Sequence, residues 1–347
     1  MKIVDLRSDT VTQPTDEMRA AMAQAVVGDD VFGEDPTINK LEDLAADRMG
    51  KEAGLLVPSG TMGNLVAILT HCQRGDEAIM GNWGHTFLFE GGGVAALGGI
   101  MPHTIPNQPD GTLKLDDLKG AIRPDDIHQP VTRLVILENT QNRCGGAVLS
   151  VEYTRQVGEF THQRDLLLHL DGARIFNAAA ALNVSAASLA EPADTVTFCL
   201  SKGLCAPVGS VLCGSGDFIR RARRIRKQLG GGMRQAGILA AAGIVALEKM
   251  TERLKEDHLR AQKLAQGLAS IACLKLQSEQ PASNMVFADL TGDAPLMSAA
   301  ALAARLKEQN IRIGVVGDRR MRMVTHYWID DEGIERTIQG FKQILCH

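Results

Sequence analysis

No stretch of this 347-residue chain approaches the roughly 18 apolar residues of a membrane-spanning helix, and the opening MKIVDLRSDT has no apolar signal-peptide core. Both absences point to a cytoplasmic protein with no membrane partner. Basic charge is not in excess either: 37 Lys and Arg stand against 41 Asp and Glu, a formal net charge of −4. That balance gives no electrostatic case for a nucleic-acid partner. The seven cysteines are odd in number and show no CxxC or Cys/His ligand spacing, which argues against a disulfide framework and a zinc site. Buried thiols in a reducing compartment fit them best. The acidic loop Gly28 to Pro36 lacks the evenly spaced oxygen ligands of a calcium loop, so no metal is expected. Internal repeats and low-complexity tracts are missing as well.

What is present is an alternation of short apolar runs with helical segments through residue 214, the pattern of an α/β protein with a doubly wound, mostly parallel sheet. A single core stops growing near roughly 250–300 residues, so two domains are expected. Residues 1–250 read as the large α/β domain, with an N-terminal segment that reaches the active site, and 251–347 as a smaller α+β domain. Between them, Met233 to Ala269 reads as one long helix or a broken pair. Within the small domain a helix is expected from Leu296 to Gln309. A glycine-rich helix is expected from Glu90 to Leu97.

Chemistry concentrates where apolar runs stop. The run after Asp194 carries no charge until Lys202, and small residues (Gly203, Ala206, Pro207, Gly209) follow it. In α/β sheets ligands sit at the carboxyl ends of strands, so this lysine points into a crevice. An amine that loses solvation there becomes a nucleophile toward a carbonyl, and the chemistry that reads out is a Schiff base. Upstream, Leu166 to Leu170 ends in Asp171. The order strand, Asp, helix, strand, Lys is what pyridoxal phosphate requires: Asp171 keeps the ring nitrogen protonated and Lys202 holds the aldehyde. The competing reading makes Asp171 a helix cap and Arg174 a solvated arginine.

The turn Pro58-Ser59-Gly60-Thr61, between an apolar strand and a helix, presents N–H groups and a positive dipole end to a phosphate. A plain tight turn is the alternative. His85 lies on the same rim and is expected to touch the ligand. Arg174 and Arg322 are the candidates for a substrate carboxylate, because the planar guanidinium pairs bidentately with one. The basic block Arg220 to Lys227 reads by default as the solvated face of an amphipathic helix.

Seven segments, DLRSDTVTQPT (5–15), GDDVFGEDP (28–36), VPSGTMGN (57–64), DGARIFNA (171–178), CLSKGLCAPVGS (199–210), GGGMRQAG (230–237) and RMVTH (322–326), together resemble the low-specificity L-threonine aldolases. These are pyridoxal phosphate enzymes of the aspartate-aminotransferase fold type. The resemblance implies retro-aldol cleavage of L-threonine, L-allo-threonine and related β-hydroxy amino acids to glycine and an aldehyde. β-Elimination or racemisation of another amino acid on the same scaffold is the alternative. It also implies that Lys202 carries the cofactor, Asp171 pairs with its ring nitrogen, Gly60 and Thr61 hold its phosphate, and His85 stacks on its ring. Ser8, Arg174 and Arg322 would bind the substrate carboxylate. His128 matches a position near the substrate hydroxyl, and the hydroxyl base is His85, His128 or a water they position. The family's sites lie at a dimer interface, commonly within a tetramer, with Lys227 and Arg234 reaching a neighbour's phosphate. The chain departs from the pattern at Gln141, where the family usually has His.

Overall fold

The computed structural model describes residues 2–292 and 297–346. Two compact units make up the chain: one is Pro14–Thr251, and the other joins the segment up to Gln13 with the chain from Glu252 onward.

Twelve strands are present among the described residues: β1 (Val4–Leu6), β2 (Ala53–Val57), β3 (Glu77–Gly81), β4 (Met101–Ile105), β5 (Thr132–Glu138), β6 (Leu167–Asp171), β7 (Thr195–Cys199), β8 (Ser210–Gly214), β9 (Leu274–Leu276), β10 (Met285–Leu290), β11 (Ile311–Val315) and β12 (Arg320–Val324). Pro14–Thr251 holds a seven-stranded sheet in the order β2-β8-β7-β6-β5-β3-β4. All neighbours are parallel except β8, which runs antiparallel to both β2 and β7. Every residue of β3, β7 and β8 is buried. Burial on both faces is why these strands read as continuous apolar runs instead of alternating ones. On one face, Val66 and Ala67 of the helix Gly60–His71 and Phe218, Ile219 and Ala222 of the helix Gly216–Gln228 pack on Leu55, Val57 and Leu212. This is the doubly wound sheet expected from the sequence. It has one consequence for chemistry: the carboxyl ends of β2, β3, β5, β6 and β7 emerge along a single edge.

The other unit has a five-stranded sheet, β1-β11-β12-β10-β9, covered by the helices Leu254–Ala269, Ala299–Glu308 and Asp331–Leu345. Leu6, Leu264, Leu302, Met323 and Phe341 share its core. β1 pairs in parallel with β11, Val4 opposite Ile311. Residues up to Gln13 therefore fold with the C-terminal unit, whereas the division expected at 250/251 left them in the large one. The helix expected from Leu296 begins at Ala299; Leu296 itself lies outside the described residues. The expected span Met233 to Ala269 is broken into Gly237–Val245, one wide turn at Ala246–Met250, and Leu254–Ala269.

The acidic loop has a structural use. Asp35 caps the helix Pro36–Met49 and also accepts from the Gly237 amide at 2.9 Å. Asp29 pairs with Arg234 at 3.0 Å and Asp30 with Arg226 at 2.5 Å. The Arg226 side chain is only 4% exposed and also donates to the Leu56 carbonyl, so the basic helix is not solvated all round. Removing one member of a buried pair strands the other charge, at a cost of about 3–5 kcal/mol. Arg226→Ala is therefore expected to lower the denaturant-unfolding free energy by about that amount. Arg224→Ala, on the exposed side of the same helix, should change it by less than about 0.5 kcal/mol. Equal effects of the two would contradict the inward pairing.

Candidate active site

Asp171 ends β6 and is 2% exposed. Its Oδ1 accepts from the Ala173 amide at 3.1 Å and its Oδ2 from the Asn64 side-chain amide at 2.9 Å. The same Asn64 nitrogen donates to Glu90 Oε1 at 2.8 Å, and that oxygen also meets His85 Nδ1 at 2.8 Å. One amide thus ties two buried carboxylates together, and one of them orients His85.

Local sequence explains how the chain reaches this arrangement. Beyond β3, Gly84 turns into the short helical segment His85–Leu88, whose first N–H, that of His85, donates to Glu138 Oε2 at 2.8 Å. Glu138 ends β5 and lies in register with Asp171. Gly91 and Gly92 adopt φ of 62° and 67°, left-handed values that favour glycine, and they let the chain double back so that Glu90 faces inward. The continuous helix expected over Glu90 to Leu97 is for that reason two short segments, His85–Leu88 and Gly93–Ala96.

Lys202 follows β7 by three residues and is half-buried. Its positive charge is felt at His85, as is the negative charge of Asp171, so the three belong to one electrostatic site. The amino end of the helix Gly60–His71 is pressed against the strand leading to Lys202. A Cβ on Gly60 would fall 2.9 Å from Cys199 Sγ, and one on Gly63 2.6 Å from Thr197 Cγ2. Ser59 caps this helix by accepting from the Met62 amide, which leaves the first-turn N–H groups of Gly60 and Thr61 at its positive end.

The electrostatics favour a cationic ring nitrogen. Glu138 is pushed up to about 7, first by burial and then by the charge of Asp171. Burial likewise raises Glu90, and Asp171 adds to it. The hydrogen bond to Glu90 holds the His85 proton above the usual histidine range. Two buried carboxylates and a partly buried third in the same network are relieved by a positive group placed among them. His85, Glu90 and Asp171 present ligand-type atoms within 4.8 Å of one another, yet the Asn64 amide already donates to both carboxylates. Pyridoxal phosphate suits this donor set: a pyridinium nitrogen for Asp171, an aldehyde for Lys202, and a phosphate for the amino end of the Gly60–His71 helix.

The remaining expected residues are spread more widely. Arg174 is buried, at the amino end of the helix Ile175–Leu182. Lys227 is exposed at the end of the basic helix, and the following Gly231 lies so close to Met62 that a Cβ would fall 2.2 Å from its sulfur. Arg234 is bound to Asp29. Ser8 and Arg322 are in the other unit; Ser8 accepts from the Thr10 amide and Arg322 donates to the Arg7 carbonyl. His128 is not gathered with the network. It sits before the amino end of β5, opposite the Glu138 end, with its side chain 81% exposed and bonded to Asp126. Gln141 is fully buried and engaged: Nε2 donates to the Trp83 carbonyl and Glu138, and Oε1 accepts from the Cys144 amide. Asn64 and Glu90 were not singled out from the sequence. The signal was an amide inside an otherwise apolar helix and a lone acid before three glycines.

Comparison with known proteins agrees with this chemistry. The family model of the β-eliminating lyases matches residues 5–291. The probable low-specificity L-threonine aldolase 2 of Arabidopsis thaliana is 46% identical over 348 residues, which cover 99% of this chain and 98% of that one. The low specificity L-threonine aldolase of Escherichia coli (strain K12) is 46% identical over 344 residues, covering 99% and 100%. Among solved structures, that of Leishmania major threonine aldolase aligns with a TM-score of 0.84 at 21% identity, covering 98% of this chain and 99% of that one, a likeness of fold.

Glu138 makes a testable contribution to stability. Its folded value of about 7 lies above the ordinary 4.5, so its contribution is complete below about pH 4.5 and is lost as pH rises through 7. Glu138→Gln mimics the protonated form. The stability of the cofactor-free variant relative to wild type should rise between pH 4 and 8 by on the order of 3 kcal/mol, read by denaturant unfolding at each pH. A difference that does not change with pH would contradict the raised value.

Proposed function

From the premise that this chain belongs to the β-eliminating lyase family, in the branch that includes the low-specificity L-threonine aldolases, we propose how its residues divide the work of cleaving β-hydroxy amino acids. It is a pyridoxal-phosphate-dependent carbon–carbon lyase, and its reaction is the retro-aldol cleavage of L-threonine and L-allo-threonine to glycine and acetaldehyde. The observation that carries the assignment of roles is the Asp171–Asn64–Glu90–His85 network, with the charge of Lys202 acting on its last member.

On this reading Lys202 holds the cofactor aldehyde and Asp171 its ring nitrogen, while Gly60 and Thr61, with Ser59, hold the phosphate. His85 lies against the ring. Bound there, pyridoxal phosphate supplies an electron sink for the Cα–Cβ bond of the substrate. The chain's own residues do the rest. Arg174, Ser8 and Arg322 bind the substrate carboxylate and so set which substituent of Cα faces the sink. The β-hydroxyl proton must leave before aldehyde can, and His85 is the group of the network suited to take it or to position a water that does. Glu90 occupies its Nδ1, so Nε2 is the nitrogen left for this task.

Oligomerisation is part of the proposal. Val26 and Val27 before the acidic loop and Val31 and Phe32 within it are exposed, the last by 73%, and a second copy would cover them. In a tetramer built as a dimer of dimers, Lys227 and Arg234 reach a neighbour's phosphate. His128, placed away from the network of its own chain, acts on the substrate hydroxyl in another copy's site. Gln141, engaged on both its amide atoms, holds the loop after β5 and leaves side-chain preference to other residues. Among the described residues no helix is long and apolar enough to cross a membrane. The cysteine usage suits the reducing cytoplasm, which we propose as the location.

Incubation with L-allo-threonine, with the aldehyde trapped, should yield glycine and acetaldehyde in equal amounts. Pyruvate and ammonia from serine without any acetaldehyde would replace the aldolase with an eliminase. Lys202→Ala should lose measurable turnover; activity near wild type would remove Lys202 from the site. His85→Asn should lower kcat/KM by about 10²-fold or more, and an unchanged value would move the proton transfer to His128 or to water alone.

A further inference from the structure

Behind Asp171 the hydrogen bonds continue inward. Asn64 Oδ1 meets His169 Nε2 at 3.2 Å, His169 Nδ1 meets Thr195 Oγ1 at 2.9 Å, and Thr195 Oγ1 meets His71 Nε2 at 2.8 Å. His169 and Thr195 are fully or almost fully buried, and Asn64 is 2% exposed. None of the proposed roles uses His169, Thr195 or His71.

The direction of each bond follows from the two ends. Carboxylates only accept, so the Asn64 amide nitrogen faces Asp171 and Glu90 and its oxygen faces His169. An amide oxygen only accepts, so His169 Nε2 carries a hydrogen. Burial lowers His169 to about 3 and His71 to about 4, which keeps both rings neutral. His169 Nδ1 is then an acceptor, and the Thr195 hydroxyl donates to it. Thr195 in turn accepts from His71 Nε2–H. Every donor in the series points the same way, from His71 through Thr195 and His169 to Asn64, and ends on the two carboxylates. Hydrogen bonds aligned in this sense polarise one another and strengthen the last pair.

We propose that Asn64 is a positioning residue of this site: its amide fixes Asp171 against the ring nitrogen and Glu90 against His85 at once, reinforced from behind by the donor series His71–Thr195–His169. The inference rests on the reading that Asp171 faces the cofactor's nitrogen. It explains why an amide interrupts the apolar helix Gly60–His71, the same helix that offers its amino end to the phosphate. A single element thereby locates both ends of the cofactor.

The test uses the full chain stripped of cofactor and titrated with pyridoxal phosphate, followed by visible absorbance and by quenching of protein fluorescence. Asn64→Asp keeps the shape and removes the donors; it should weaken cofactor binding by about tenfold to hundredfold and shift intensity from the visible band toward the near ultraviolet. His169→Phe should cause a smaller change in the same direction. His169→Gln, which keeps a donor facing Asn64 Oδ1, should restore the wild-type titration. Thermal unfolding of each cofactor-free variant reports on folding; if Asn64→Asp does not fold, the His169 pair decides. Wild-type titration and spectrum in Asn64→Asp, or identical titrations for His169→Phe and His169→Gln, overturn the inference. If wild type binds with its visible band and Asp171→Asn leaves affinity and band untouched, the underlying reading of Asp171 fails instead.

Discussion

Two buried carboxylates, Asp171 and Glu90, and a third, Glu138, that is partly buried share one hydrogen-bonded network at the edge of the large sheet, and the geometry around them follows from managing that charge. A carboxylate that loses solvation on burial must be given donors or a proton in exchange. Asn64 donates to two of them. Backbone amides of His85 and Asn142 donate to the third, which also keeps a proton up to about pH 7. On the proposed reading, a cationic cofactor nitrogen beside Asp171 would add positive charge to this set of donors. On that reading electrostatic need, and not shape alone, would draw the cofactor to this edge.

The fold makes the gathering possible. Because β2, β3, β5, β6 and β7 all run the same way, turns far apart in sequence arrive at one edge: 58–64, 82–90, 138–142, 171–174 and 200–202. β8, running against its neighbours, returns the chain and lets β2 close the sheet next to it. The acidic loop serves the same end indirectly. Its aspartates hold Arg226, Arg234 and the Gly237 amide, and so fix the glycine segment beside Met62, on the first turn of the Gly60–His71 helix.

Much of this was legible in the sequence. Strand ends betray themselves where a buried, uninterrupted apolar run meets a polar residue, and Asp171, Lys202, His85 and the Ser59–Thr61 turn all lie at or just past such ends. Glu138 ends an apolar run in the same way, but its register beside Asp171 exists only once β5 and β6 pair. Side chains whose partners lie far away in sequence were harder to read. Asn64 is 107 residues from Asp171 and 26 from Glu90, and nothing local announces either bond. The N-terminal segment was placed in the wrong unit for a similar reason: β1 is three residues long, and its pairing with β11 spans nearly the whole chain. The break between His85–Leu88 and Gly93–Ala96 depends on left-handed glycines, whose conformation composition does not specify. The basic helix misled because one of its arginines, Arg226, turns inward to a partner 196 residues away.

The most direct measurement is a crystal structure of the chain grown with pyridoxal phosphate. The account predicts the ring nitrogen within hydrogen-bonding distance of Asp171, the aldehyde carbon bonded to Lys202 Nζ, and the phosphate on the amides of Gly60 and Thr61. A ring nitrogen turned away from Asp171, or a cofactor held elsewhere on the chain, would contradict it.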